Sequence, residues 1–109
     1  MNSREKGKRG ERELAKKLSE VFGKACRRGQ QFSGLGGDDV VGLGGIHVEC
    51  KWVQALNVET AMRQSERDAG DGEVPIVCHR RNGTEWLLTV RLERVPKLVE
   101  LLTKGVVLE

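Results

Sequence analysis

Apolar residues first recur at helical spacing. Leu14, Ala15, Leu18, Val21 and Phe22 form one stripe and predict a helix over residues 10–22, closed by Gly23, with Glu13, Lys16, Lys17 and Glu20 turned to solvent. Residues 1–9 read as a charged lead-in, because Gly7 and Gly10 lower helix propensity. A polar, glycine-rich connection occupies 26–37, with a short strand around 26–32. The period then drops to two. Residues 38–51 predict a β-hairpin, since β-branched runs flank a glycine-bearing turn. Along its second strand Ile46, Val48 and Cys50 supply the core, while His47, Glu49 and Lys51 share the opposite face. A three-residue loop, Leu43-Gly44-Gly45, with one glycine left-handed, places Asp39 opposite Glu49 and Val40 opposite Val48. A four-residue loop brings Asp38 opposite Glu49 instead. The first register keeps Val40 on the core face and is preferred.

Asn57 is positioned to cap a second helix over 58–69, with Val58, Ala61, Met62, Ser65 and Ala69 inward, Gln64 and Asp68 on one flank, and Arg63 and Arg67 on a basic edge. Strands at 74–79 and 84–90 join at Asn82-Gly83, a strong hairpin signal that pairs Arg81 with Thr84 and His79 with Trp86. Pro96 suits the first turn of a last helix over 97–104, with Leu98, Leu101 and Leu102 inward and Gly105 at its end. Val106-Val107-Leu108 is an apolar tail. The order of helix, strands, helix, strands, helix predicts one α/β or α+β domain across residues 1–109, with a central mixed sheet flanked by helices.

Composition narrows the class. No apolar run approaches the ~20 residues of a membrane span, and the charged N-terminus does not resemble a signal peptide. Cys26, Cys50 and Cys78 form no Cys-x-x-Cys pair, which argues against a zinc site or a disulfide framework and fits a reducing cytoplasm. The glycines at 34, 36 and 37 are not followed by Gly-Lys-Ser/Thr, so they do not make a nucleotide P-loop. Net charge is +3, yet residues 1–31 hold ten Lys or Arg against four Glu, and the remainder nine against twelve. A basic end on a nearly neutral body is the footprint of a protein that meets a polyanion. Lys6, Lys8, Arg9, Arg12, Arg27, Arg28, Arg63 and Arg67 are candidates for backbone phosphates, with Ser33 a candidate phosphate or sugar contact in the loop. No recognition helix suited to reading base edges stands out, which favours a reader of DNA shape.

Candidate chemistry concentrates in the first hairpin. An aspartate facing Glu49 makes two like charges that repel unless a cation lies between them, and a divalent metal ion meets that need. The alternative is a solvated hairpin face carrying a cross-strand Lys–Glu pair. Extending the first helical stripe backward lands on Glu11, which either rests at the core's edge, favoured by the helix dipole, or reaches into a site. His47 and His79 are not spaced as a metal-ligand pair and are assigned structural roles.

Gly10-Glu11-Arg12-Glu13-Leu14, then Asp39-Val40-Val41-Gly42, then Val48-Glu49-Cys50-Lys51, together resemble the PD-(D/E)XK nuclease superfamily, and within it the archaeal-type Holliday junction resolvases and their phage-encoded relatives. The resemblance implies a restriction-endonuclease-like core and hydrolysis of DNA phosphodiester bonds. It further implies Mg²⁺, replaceable by Mn²⁺, held by Asp39, Glu49 and the Cys50 backbone carbonyl, with Glu11 joining from the helix. Lys51 would orient the attacking water and offset charge, and Gln64 resembles the auxiliary glutamine of several nuclease subfamilies. Gly37-Asp38 stands where a proline often precedes the aspartate, which keeps Asp38 in play beside Asp39. The resemblance also implies branched or double-stranded DNA as partner and a symmetric homodimer, for which Val106, Val107 and Leu108 with exposed sheet residues are candidates. Two other readings remain: a nuclease of the same fold acting on flaps, single strands or duplex ends, and a DNA-binding module without catalysis.

Overall fold

A computed structural model describes residues 3–29 and 38–104. The elements run α1 (Ser3–Phe22), β1 (Arg27–Arg28), β2 (Val40–Val41), β3 (Ile46–Trp52), α2 (Val58–Asp68), β4 (Val74–Arg80), β5 (Leu87–Thr89), a 3₁₀ turn (Leu92–Arg94) and α3 (Val95–Thr103). The strands form one mixed sheet in the order β1-β2-β3-β4-β5, with β3 and β4 parallel and the other pairs antiparallel. A parallel pair needs a crossover, and α2 supplies it. Strand alternation then sorts the side chains. Ile46 and Val48 of β3 and Val74, Ile76 and Cys78 of β4 pack with Leu14, Ala15 and Leu18 of α1 and Leu98 of α3. On the other face Val77 meets Ala61 and Met62 of α2. Buried Ser65 fastens that helix by donating its hydroxyl to the Ile76 carbonyl at 2.9 Å. The expected mixed sheet between helices is therefore present, and no helix of the described residues is long and apolar enough to cross a membrane.

The first hairpin adopts the preferred register, with Val40 opposite Val48. Gly45 takes the left-handed conformation that a three-residue loop requires, at φ 80°. Four local expectations need correction. The first helix starts at Ser3, not residue 10, because its N-terminal turns dock on Trp52 at the end of β3 and tolerate both glycines. The Arg81–Thr84 turn forms, but β4 and β5 pair one residue out of the expected register, His79 with Leu87 and Cys78 with Leu88. That shift puts Leu88 on the α1 side, where Trp86 joins the core and donates its indole N–H to Glu13. Val58 is exposed at the first residue of α2, whose buried residues are Ala61, Met62 and Ser65. The last helix begins two residues early, at Val95, with Pro96 in its first turn as expected.

One close approach braces the hairpin. The Gly29 N–H donates to the Asp39 carbonyl at 2.8 Å, and a Cβ on Gly29 would overlap the Asp38 carbonyl oxygen. The Val106–Leu108 tail and Ser33 lie outside the described residues.

Candidate active site

β2 and β3 bring Asp39 and Glu49 together. Asp39 is buried, and its Oδ2 accepts the Cys50 backbone N–H at 2.8 Å, which fixes the carboxylate at the hairpin's open end. Glu49 is also buried. One of its oxygens lies 3.1 Å from His47 Nε2, and the other accepts from Gln64 Nε2 at 3.3 Å. Gln64 thus reaches the site from α2, as its flank position allowed. Lys51 follows two residues later on the same face, half-buried.

The electrostatics register the crowding. Burial, and then the negative charge of Glu49, push the Asp39 carboxyl up to about 7, against the pull of the Cys50 N–H; a hydrogen bond with Glu49 and the charge of Glu11 add to the rise. The Asp39 carboxyl is therefore partly protonated near neutrality. Glu11 is half-buried on α1 and pairs with Arg28 of β1, Nε to Oε2 at 2.6 Å. Its field reaches both Asp39 and the Cys50 thiol. Burial, with the nearby acids, raises that thiol far above its ordinary range, so Cys50 is no nucleophile. A concavity of about 290 Å³ runs along Glu11, Cys50, Lys51 and Trp52, bounded by Lys6 and Gly10 of α1.

Buried carboxylates that repel one another are a donor set that a hard divalent cation relieves. Asp39 and Glu49 are donors of that kind, and the charge of Glu11 reaches Asp39, although among the described residues the three do not gather their oxygens into one cluster within 4.8 Å. A different set, Asp38, His47 and Glu73, has potential ligand atoms within 4.8 Å of one another. His47 Nδ1 ion-pairs with Asp38 while Nε2 faces Glu49, so both ring nitrogens are engaged by carboxylates. Burial alone would lower the imidazole's pKa, but the hydrogen bonds and charges of Asp38 and Glu49 outweigh it and raise it to about 10. The imidazole is thus held between the Asp38 and Glu49 carboxylates, with Glu73 close by.

A family described as "Phage putative PDDEXK endonuclease" matches residues 2–107. The chain belongs to that PDDEXK endonuclease family. No protein among the curated ones matches it. Among solved structures, the chain is similar to Archaeoglobus fulgidus Hjc, a Holliday junction resolvase from an archaeal hyperthermophile. The TM-score is 0.55 and the identity 24%, over 75% of this chain and 74% of that one, a likeness of fold.

Within this PDDEXK chain the expected basic contacts separate into groups. Lys6 and Arg9 lie over the Trp52 ring. Lys8 and Arg12 occupy other positions on the same helix, and Arg27 is exposed on β1. Arg28 is committed to Glu11. Arg63 and Arg67 are exposed on α2, across the sheet from α1, and Arg67 is near Asp68 at 3.9 Å. Sequence reasoning assigned no site role to His47, Trp52 or Arg80. Alternation had placed His47 on the face of Glu49 and Lys51, a usable signal. Arg80 carried none, since only the folded chain brings it beside Trp52.

Proposed function

We propose that this PDDEXK nuclease is a Mg²⁺-dependent, structure-selective DNA endonuclease that cuts branched DNA such as four-way junctions, with Mn²⁺ able to substitute. The observation that carries the proposal is the buried Asp39–Glu49 pair, held by Cys50, His47 and Gln64 beside Lys51 and the concavity that Glu11 lines. Asp39, Glu49 and the Cys50 carbonyl would hold the ion, with Glu11 contributing directly or through water. When bound, the ion supplies Lewis-acid stabilisation of the phosphorane charge and a more acidic water. Lys51 orients the attacking water and offsets negative charge as the phosphorus–oxygen bond breaks. Gln64 fixes one Glu49 oxygen and His47 the other. The one-domain chain would act as a homodimer, so that two sites cut opposed strands, and the exposed Leu87 and Leu88 at the sheet edge offer apolar surface for it.

The test uses a four-way junction labelled on each strand in turn. Paired, symmetric nicks with Mg²⁺ and none in EDTA are expected. Random loss of single strands, or cutting confined to flaps or duplex ends, would move the substrate to those classes. If the parent, Glu49→Gln and Lys51→Ala all bind DNA equally and none cuts with either metal, the chain is a binding module.

A further inference from the structure

Trp52 ends β3 one residue beyond Lys51 and faces α1. Three cations lie over its indole: the Arg80 guanidinium at 4.6 Å from the ring centroid, the Lys6 ammonium at 5.4 Å and the Arg9 guanidinium at 5.5 Å. The ring is fixed, because its N–H donates to Asn82 Oδ1 at 2.8 Å and the Asn82 backbone N–H is held by Gln54 at 2.7 Å. Gly10 brings α1 so close that a Cβ there would meet the ring at 3.4 Å. Arg80 ion-pairs with Glu13. Lys6 and Arg9 make no ion pair among the described residues.

An aromatic face attracts each exposed cation by about 0.5–1 kcal/mol but neutralises none of them. Arg80 is already paired with Glu13, so Lys6 and Arg9 leave two uncompensated like charges at one ring, and together they form a site for an anion. Lys6 and Trp52 line the same concavity as Glu11, Cys50 and Lys51. Trp52 lies about 10 Å along β3 from Glu49 and on the opposite face of the strand, so the cluster flanks the acidic pair at the strand's end. We propose that Trp52, Lys6 and Arg9, braced by the Arg80–Glu13 pair, form a prebuilt clamp for backbone phosphates of the DNA strand to one side of the bond that is cut. The ring gathers and orients the cations, which occupy the surface a base would stack on. The register relative to the cut rests on the nuclease reading; the clamp itself does not.

The experiment measures binding of a fluorescent DNA duplex by anisotropy in EDTA, across a NaCl series. Trp52→Leu removes no charge, yet it is expected to lower the slope of log affinity against log salt by about two and to weaken binding roughly tenfold. The double variant Lys6→Ala/Arg9→Ala should give a similar loss, and adding Trp52→Leu to it should give little more. Trp52→Phe, which keeps an aromatic face, should retain most of the slope. An unchanged slope in Trp52→Leu, or losses that add in full, would overturn the clamp. If Trp52→Leu does not fold, the unaltered protein is titrated with duplexes carrying one uncharged methylphosphonate at successive positions around a fixed nick site. Loss at one or two adjacent positions supports the clamp, and uniform loss refutes it. Absence of cleavage with Mg²⁺ would count against the nuclease reading and leave both binding readouts intact.

Discussion

Replacing Asp39 with Asn should stabilise the metal-free protein at neutral pH while abolishing cleavage. Asn keeps an oxygen for the Cys50 N–H and can donate to Glu49, so the hydrogen bonds survive and only the charge is lost. The Asp39 carboxyl rises from 3.8 to about 7 on folding, with burial the larger cause and the Glu49 charge next. A folded pKa above the unfolded one means that the native state holds more protons between those values. The stability this provides is complete below about pH 4 and is lost as pH rises through about 7. At ~1.4 kcal/mol per pH unit, a window of about three units costs on the order of 4 kcal/mol in the charged form. Urea denaturation in EDTA at pH 4 and pH 8 reads this directly. Asp39→Asn is expected to exceed the parent by a few kcal/mol at pH 8 and to match it near pH 4. Mg²⁺ should raise the parent's midpoint at pH 8 and leave Asp39→Asn nearly unmoved. A variant less stable than the parent at pH 8 without metal would refute the reasoning.

Glu49→Gln and Lys51→Ala are each expected to reduce junction cleavage at least about 100-fold while circular dichroism shows the fold retained, read by single-turnover gels. His47→Ala leaves Glu49 without its buried ionic partner and should cost about 3 kcal/mol at pH 7 in urea melts. In the parent, the His47 contribution is complete below about pH 6.5 and fades as pH rises toward 10, so an NMR titration should find the imidazole still protonated at pH 8. Ser65→Ala removes the hydroxyl on the Ile76 carbonyl and should cost about 1 kcal/mol with cleavage unchanged.

The first hairpin was legible because its apolar period and its turn chemistry agree: one register puts Val40 on Val48, and the chain adopts it. Asn57 likewise announced α2, and its side chain accepts the Thr60 N–H. Where local and distant demands conflict, the local signal fails. Asn82-Gly83 argues for a tight hairpin, yet Trp86 is drawn into the core and to Glu13, which costs one residue of register. Gly7 and Gly10 argue against a helix start, yet Gly10 is where α1 must press against Trp52. The Glu11–Arg28 and Arg80–Glu13 pairs join residues distant in sequence, and no spacing rule reaches them. For His47 the alternation was visible, but its partner Asp38 lies on the chain leading into the opposite strand, so the bridge exists only after pairing.

Gly29 shows how a position with no chemistry of its own becomes intolerant of change. Because any side chain there collides with the Asp38 carbonyl, room can be made only by displacing the segment that carries both aspartates. One added methyl would then act at a distance from every donor atom yet shift Asp39 from Glu49. In a mutational scan read by cleavage, position 29 should score with the acids, while exposed Arg27 two residues away tolerates most replacements in folding. Ranking residues by sensitivity alone would therefore credit a backbone contact with a reactive role.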